Sequence, residues 1–178
     1  LLCDYGHADA ALTLFTRNTY PSFGDQILNH DATTTWEQWG TIKTGREMQT
    51  YDHAMFSGAD KTFYTRFGGI IPATPGYKTI IIKPNIPQGL EYVKSSVRTV
   101  HGLVISDWGK SGRLFKHHIN IPVNTSAIVH IPGDDPGKVF ENGVIASGSE
   151  GTRYLRTENN YVVFEVGSGC YNFYSEIP

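Results

Sequence analysis

The residues whose types and spacing could do chemistry lie between Ala32 and Phe56, in the run ATTTWEQWGTIKTGREMQTYDHAMF. One carboxylate, Glu37, stands between two indoles, Trp36 and Trp39, and a glycine-containing loop then leads to Asp52 and His53. A pyranose offers C–H faces for stacking and a ring of hydroxyls for hydrogen bonds, so aromatic faces beside an acid are what a sugar site requires. A carboxylate so placed can take a proton from water or give one to a departing oxygen. The same run also reads as a half-buried strand with an exposed Glu, and periodicity alone favours that plainer reading.

Composition narrows the partners. The chain has 178 residues, 39% hydrophobic and 12% aromatic, enough for one domain or two small ones with a core. Its net charge is −2 and it holds no Lys/Arg run, which excludes the electrostatic footprint of a nucleic-acid binder and points to neutral partners. No apolar run is long enough to cross a bilayer, so no membrane partner is expected. Cys3 and Cys170, at opposite ends of the sequence, lack zinc or redox spacing and read as buried thiols. Neighbours on a strand face opposite ways, so His117 and His118 cannot share one ion. No phosphate loop, Gly-x-Ser-x-Gly elbow or His-Glu-x-x-His run occurs, and neither cofactor nor metal is expected.

The elements that must position the candidate site are helical. Ala8, Ala11, Leu12 and Phe15 draw an apolar stripe over residues 7–17, ended by Pro21. Residues 20–24 read as a turn, and Asp25 to Leu28 as one helical turn. The Thr33–Trp36 run favours extended backbone, because β-branched and aromatic residues crowd a helix. Asp52 is the expected N-cap of a second helix that buries Phe56, Ala59, Phe63 and Phe67 and stops at Gly68-Gly69.

From Ile70 to Gly76 the chain reads as a Pro/Gly-rich connector, and beyond it helical periodicity gives way to short strands. Residues 79–83, 103–106, 114–121, 126–131, 138–140 and 161–166 are the expected strands, with turns at 85–89, 109–112, 133–137 and 158–160. That spacing predicts an antiparallel sandwich, with the domain boundary near Pro72.

Four segments in order carry a family resemblance: Asp4-Tyr5-Gly6-His7-Ala8-Asp9; Thr19-Tyr20-Pro21-Ser22-Phe23-Gly24; Ala32-Thr33-Thr34-Thr35-Trp36-Glu37-Gln38-Trp39; and Met48-Gln49-Thr50-Tyr51-Asp52-His53-Ala54-Met55-Phe56. They resemble the end of the catalytic barrel in bacterial α-L-rhamnosidases of glycoside hydrolase family 78. Pro75-Gly76-Tyr77-Lys78, Gly102 to Trp108 and Ile121-Pro122-Val123-Asn124-Thr125 resemble that family's trailing sandwich.

The resemblance implies an α+β multidomain fragment, with residues 1–72 the last helices of an (α/α)6 barrel and residues 73–178 a C-terminal antiparallel β-sandwich. It implies hydrolysis of terminal α-L-rhamnosyl bonds with inversion, Glu37 as general base, and Trp36, Trp39 and His53 lining the sugar pocket. An inverting enzyme also needs a protonated carboxylic acid, the two groups standing roughly 6.5–9.5 Å apart. The family's acid belongs to an earlier segment than any matched here, so the chain reads as part of a longer polypeptide and is expected to be inactive alone. Three departures bear on the sugar: Phe23 where Trp is usual, Gln38 where Arg is usual, and a shorter loop over residues 40–47. A competing reading is a non-catalytic carbohydrate-binding or structural sandwich module. With barrel helices absent, the isolated chain is expected to expose apolar surface and associate.

Overall fold

The computed structural model describes residues 1–39 and 50–178, which fall into two compact units, Leu1–Thr62 and Phe63–Pro178. The first is helical. Helix α1 (Ala8–Thr16) turns the side bearing Ala11 inward, as its apolar stripe predicts. Helix α2 (Phe23–His30) is longer than expected: Ser22 caps it, its hydroxyl accepting the Asp25 N–H at 2.9 Å, after a cis Tyr20–Pro21 bond. Its buried residues are Asp25 and Gln26, while Ile27 and Leu28 lie outward.

The second helical segment departs from expectation in three ways. Residues 50–53 lie outside any helix, with bends at Tyr51 and Asp52, so His53 rather than Asp52 precedes the first turn, Ala54–Phe56, and no side chain caps it. Helix α3 (Gly58–Thr62) follows, and Phe63–Phe67 then widens into a π-turn closed by the Gly68 N–H on the Phe63 carbonyl at 2.8 Å. Of the expected aromatic stripe Phe67 is buried but Phe63 is exposed, while the Phe56 side chain lies outside what the structure describes.

Phe63–Pro178 is a sandwich of two sheets. In one, strands β1 (Ile70–Pro72), β2 (Thr79–Ile82), β6 (Ser126–Pro132), β10 (Tyr161–Val166) and β9 (Thr152–Glu158) lie side by side in that order. The other runs β3 (Tyr92–Thr99), β4 (Gly102–Ser111), β5 (Leu114–Ile121), β11 (Gly169–Glu176), β7 (Phe140–Glu141) and β8 (Val144–Ile145). Neighbouring strands are antiparallel except β2 and β6, which pair parallel. Ile70–Pro72 is thus a strand, not a connector: it finds a full antiparallel partner in β2, and Pro72 sits at its exposed end.

Alternation explains the core. On β5, Phe115, His117, Ile119 and Ile121 point inward and Lys116 and His118 outward. Ile80, Val129, Ile131, Val162 and Phe164 come from the facing sheet. The Gly68-Gly69 pair is dictated by close approach: a Cβ on Gly68 would lie 2.4 Å from Ser95 Oγ, and Gly69 adopts φ +74 against Pro84. Of the two cysteines, Cys3 is buried but Cys170 is exposed, because it falls on the outward register of β11.

Candidate functional site

The Thr34–Glu37 and Thr50–His53 segments are laced together. The Glu37 N–H donates to the Thr50 carbonyl at 3.1 Å, and the Thr50 N–H returns to Glu37 Oε2 at 3.0 Å. The His53 N–H donates to the Thr35 carbonyl at 2.7 Å, and the Thr35 hydroxyl donates to the His53 carbonyl at 2.9 Å. Thr34 Oγ1 adds a bond to the Tyr51 carbonyl. Bonds in both directions fix the separation of the two segments and leave little freedom to the Glu37 carboxylate, one oxygen of which is held by a backbone N–H. Glu37 and His53 are both half-buried. The expected short loop over residues 40–47, with Met48 and Gln49, lies outside the described residues.

The two indoles take different partners. Trp36 packs edge-on against Tyr51, ring centroids 5.3 Å apart, and 6.2 Å from the His30 ring. Trp39 meets Phe23 edge-on at 4.9 Å, and Phe23 in turn stacks on Phe15 of α1. Trp39 also lines a cleft of about 360 Å³ with Leu14, Phe15, Met55 and Ala59. Trp36, Glu37 and His53 do not line that cleft. The structure therefore joins Trp36, Glu37 and His53 through one pair of laced segments, while Trp39 anchors that pair to the helices. Gln26 of α2 reinforces the anchor, donating to the Gln38 carbonyl at 2.6 Å.

Sequence reasoning missed Thr34, Thr35, Thr50, Tyr51 and Gln26. The threonines were legible only as β-branched residues favouring extended chain. Their hydroxyls could have been flagged as donors able to tie one extended segment to another. Asp25 reads from sequence as a cap, turn or surface acid, yet it is buried: Oδ1 accepts Asn29 Nδ2 at 2.8 Å and Oδ2 lies 3.7 Å from His30 Nε2. Asn29, one turn on, thus satisfies one oxygen of this inward carboxylate, while Oδ2 has no hydrogen-bond partner among the described residues.

His117 and His118 fall on opposite faces of β5, as strand geometry requires. Ser106 Oγ donates to the Gly68 carbonyl at 2.6 Å and lies 2.8 Å from His117 Nε2, so Nε2 carries the proton and Nδ1 is left without a partner in the core. Burial, with a smaller contribution from His118, lowers the His117 pKa to about 3. Burial likewise lowers His130 to about 4, with Lys83 next in effect. His117 is therefore a neutral structural hydrogen-bonder. Among the described residues no group of three or more His, Cys, Asp or Glu side chains could hold a metal ion, and no helix is long and apolar enough to cross a membrane.

Two family models match the chain in succession. Residues 1–67 match the bacterial alpha-L-rhamnosidase 6 hairpin glycosidase domain, and residues 69–146 the bacterial alpha-L-rhamnosidase C-terminal domain. An alpha-L-rhamnosidase of Streptomyces avermitilis is 32% identical over 97% of the chain and 16% of its own length. One from Formosa agariphila is 26% identical over 97% of the chain and 19% of its own length. Among solved structures, the S. avermitilis alpha-L-rhamnosidase complexed with L-rhamnose superposes with a TM-score of 0.83 at 30% identity, covering 97% of this chain and 16% of that one. The alpha-L-rhamnosidase from Dictyoglumus thermophilum gives 0.84 at 35%, covering 98% and 20%. The chain thus spans about a fifth or less of the length of these relatives. With the last helices of a six-hairpin glycosidase domain running into a two-sheet sandwich, and both parts matched in order, the chain belongs to the bacterial α-L-rhamnosidase family, whose C-terminal portion it represents.

Proposed function

We propose that this chain is part of an inverting glycoside hydrolase that removes terminal α-L-rhamnosyl residues, with Glu37 as the general base. The observation that carries this reading is the clamp on Glu37, whose backbone and carboxylate are both tied to Thr50. A base must be held at fixed distance from the water it activates, and a carboxylate steadied by a backbone N–H is preorganised for that role. In this reading His53, carried on the paired segment, hydrogen-bonds the sugar, and the indole faces of Trp36 and Trp39 support its apolar side.

The general acid and the rest of the pocket belong to the remainder of the parent polypeptide. The isolated chain accordingly turns over no substrate. We assign residues 1–72 to the end of the helical catalytic domain and 73–178 to the sandwich, with the sheet reaching back through β1 to share the join. Carbohydrate is the partner that this reading requires.

The test uses the full-length parent with Glu37→Gln, which keeps the shape and removes the base. Hydrolysis of an aryl α-L-rhamnoside should fall by about 10²–10⁴. Activity within a few fold of wild type would sink the assignment.

A further inference from the structure

One face of the sandwich carries a pattern that the catalytic reading does not use. The strand registers align Tyr92, Gly109, Lys116, Tyr174, Phe140 and Ile145 in a single row across all six strands of the β3–β8 sheet. The row is on the outer face: its neighbours on the same strands, Trp108, Phe115 and Phe173, are in the core, whereas Tyr92 is 67%, Phe140 40% and Tyr174 36% exposed. Adjacent strands stand about 4.8 Å apart, so Tyr92 and Tyr174 are roughly 14 Å apart, with the bare backbone of Gly109 next to Tyr92 and Lys116 next to Tyr174 between them. Lys116 leans over the Tyr174 ring at 5.8 Å.

The next row along the same face is polar. Asp107 pairs with His118, and His118 with Asn172, across the strands. His118 Nδ1 lies 2.9 Å from Asn172 Oδ1, and Asn172 Nδ2 donates to Asn142 Oδ1 at 3.0 Å. With Asn172 Oδ1 accepting from Nδ1–H, Nε2 of the exposed His118 ring is left as an acceptor. Hydrogen bonds within the row hold these amides and the imidazole in fixed orientations.

We propose that this face is a carbohydrate-binding platform, separate from the Glu37 site, that takes a neutral oligosaccharide lengthwise along the aromatic row. The rings offer stacking surfaces for sugar C–H faces, the gap at Gly109 lets a chain lie close to the sheet, and the polar row meets its hydroxyls. The two rows carry Lys94 and Lys116 against Asp107, a net charge of +1, too weak a field to select an anionic ligand. An apolar row one residue wide beside a polar row also differs from the contiguous apolar patch that a protein partner covers. The proposal does not depend on the role of Glu37.

The experiment is native affinity electrophoresis of the full-length parent through gels containing xyloglucan, arabinoxylan, mixed-linkage β-glucan or galactomannan, all uncharged, with aryl rhamnoside turnover measured in parallel. At least one polysaccharide should retard the parent. Tyr92→Ala/Tyr174→Ala should weaken that retardation on the order of tenfold, since each lost ring contact is worth a few fold. Gly109→Arg should weaken it similarly by filling the gap; its Cβ would meet only ordinary contacts at 3.7 and 3.8 Å, so the fold tolerates it and this variant decides alone if the tyrosine pair fails to fold. Turnover should be unchanged in both. No retardation by any of the four polysaccharides, or parent-like retardation of Gly109→Arg, would overturn the proposal and leave the Glu37 reading untouched.

Discussion

The two compact units solve the problem of burial differently. In Phe63–Pro178 two sheets close on each other, and side chains such as Phe115, Phe164, Phe173, Ile80 and Ile131 are completely buried. Among the described residues of Leu1–Thr62 the buried hydrophobic ones are small, Cys3 and Ala11, accompanied by Ser22, Asp25 and Gln26, while Leu14, Ile27, Leu28 and Met55 are more than half exposed. The sandwich supplies its own core. The helical unit ties the Glu37 and His53 segments together, and Leu14, Ile27 and Leu28 of its helices are exposed among the described residues. The candidate site and the self-sufficient core thus lie in different stretches of one sequence.

The largest effect belongs to the sandwich core. Phe173 is fully buried and stacks between Phe164, at 5.8 Å, and Tyr171, at 6.1 Å. Phe173→Ala should cost about 3–5 kcal/mol in chemical denaturation of this chain. That is a large share of the ~5–15 kcal/mol that holds a typical domain together. A loss below about 1 kcal/mol would mean that the sandwich core is not what stabilises the chain.

Acid should erode the same unit. The folded state keeps His117 neutral, with a pKa near 3, against 6.5 for an unburied histidine. Between pH 6.5 and 3 the unfolded chain binds a proton that the folded chain refuses. Stability is therefore complete above pH 6.5 and falls as pH drops toward 3, by about 1.4 kcal/mol per pH unit from this residue. His130, lowered to about 4, acts in the same direction. His117→Gln, which can still donate to Ser106, should flatten the profile. An unchanged slope in that variant would remove His117 as the cause.

The contrast between the units also explains what could be read without coordinates. Alternation marked β5, where inward Phe115, Ile119 and Ile121 are apolar and Lys116, His118 and Asn120 are polar, whereas β10 was legible as a short apolar run, Val162 to Phe164 all being buried. It failed on β3, where inward Ser95 interrupts Val93 and Val97, and on β9, an edge strand with no buried residue that carries Arg–Glu pairs. Ser95 packs directly against Gly68, where any added Cβ would lie 2.4 Å from its hydroxyl. In the helical unit the α1 stripe was legible, but the inward polar face of α2 was not, since Asp25 and Gln26 make no helical apolar pattern. Of the candidate site, Glu37, His53 and the indoles were legible from type and resemblance. The threonine lacing was not, because it depends on which extended segments meet.

A smaller effect tests the buried polar link inside the sandwich. Ser106→Ala removes the donor to the Gly68 carbonyl and the acceptor of the His117 N–H. Two buried groups lose partners, which should cost about 1–3 kcal/mol, read as a lower denaturation midpoint with an unchanged slope. Full stability in Ser106→Ala would show that water enters to replace the hydroxyl.

The smallest effect in this chain is the one that separates the two units most sharply. Leu14 of α1 is 55% exposed and lines the apolar cleft beside Trp39. Leu14→Ala should change the stability of the chain by no more than about 0.5 kcal/mol, as at an ordinary surface position. In the full-length parent, where further barrel helices are proposed to cover α1, the same change should cost about 2–5 kcal/mol by leaving a cavity. Thermal melts of both proteins with and without the substitution give the comparison. Equal shifts in the two would mean that the exposed face of α1 is solvent-facing in the parent as well, and that the helical unit does not pack into a larger barrel through this side.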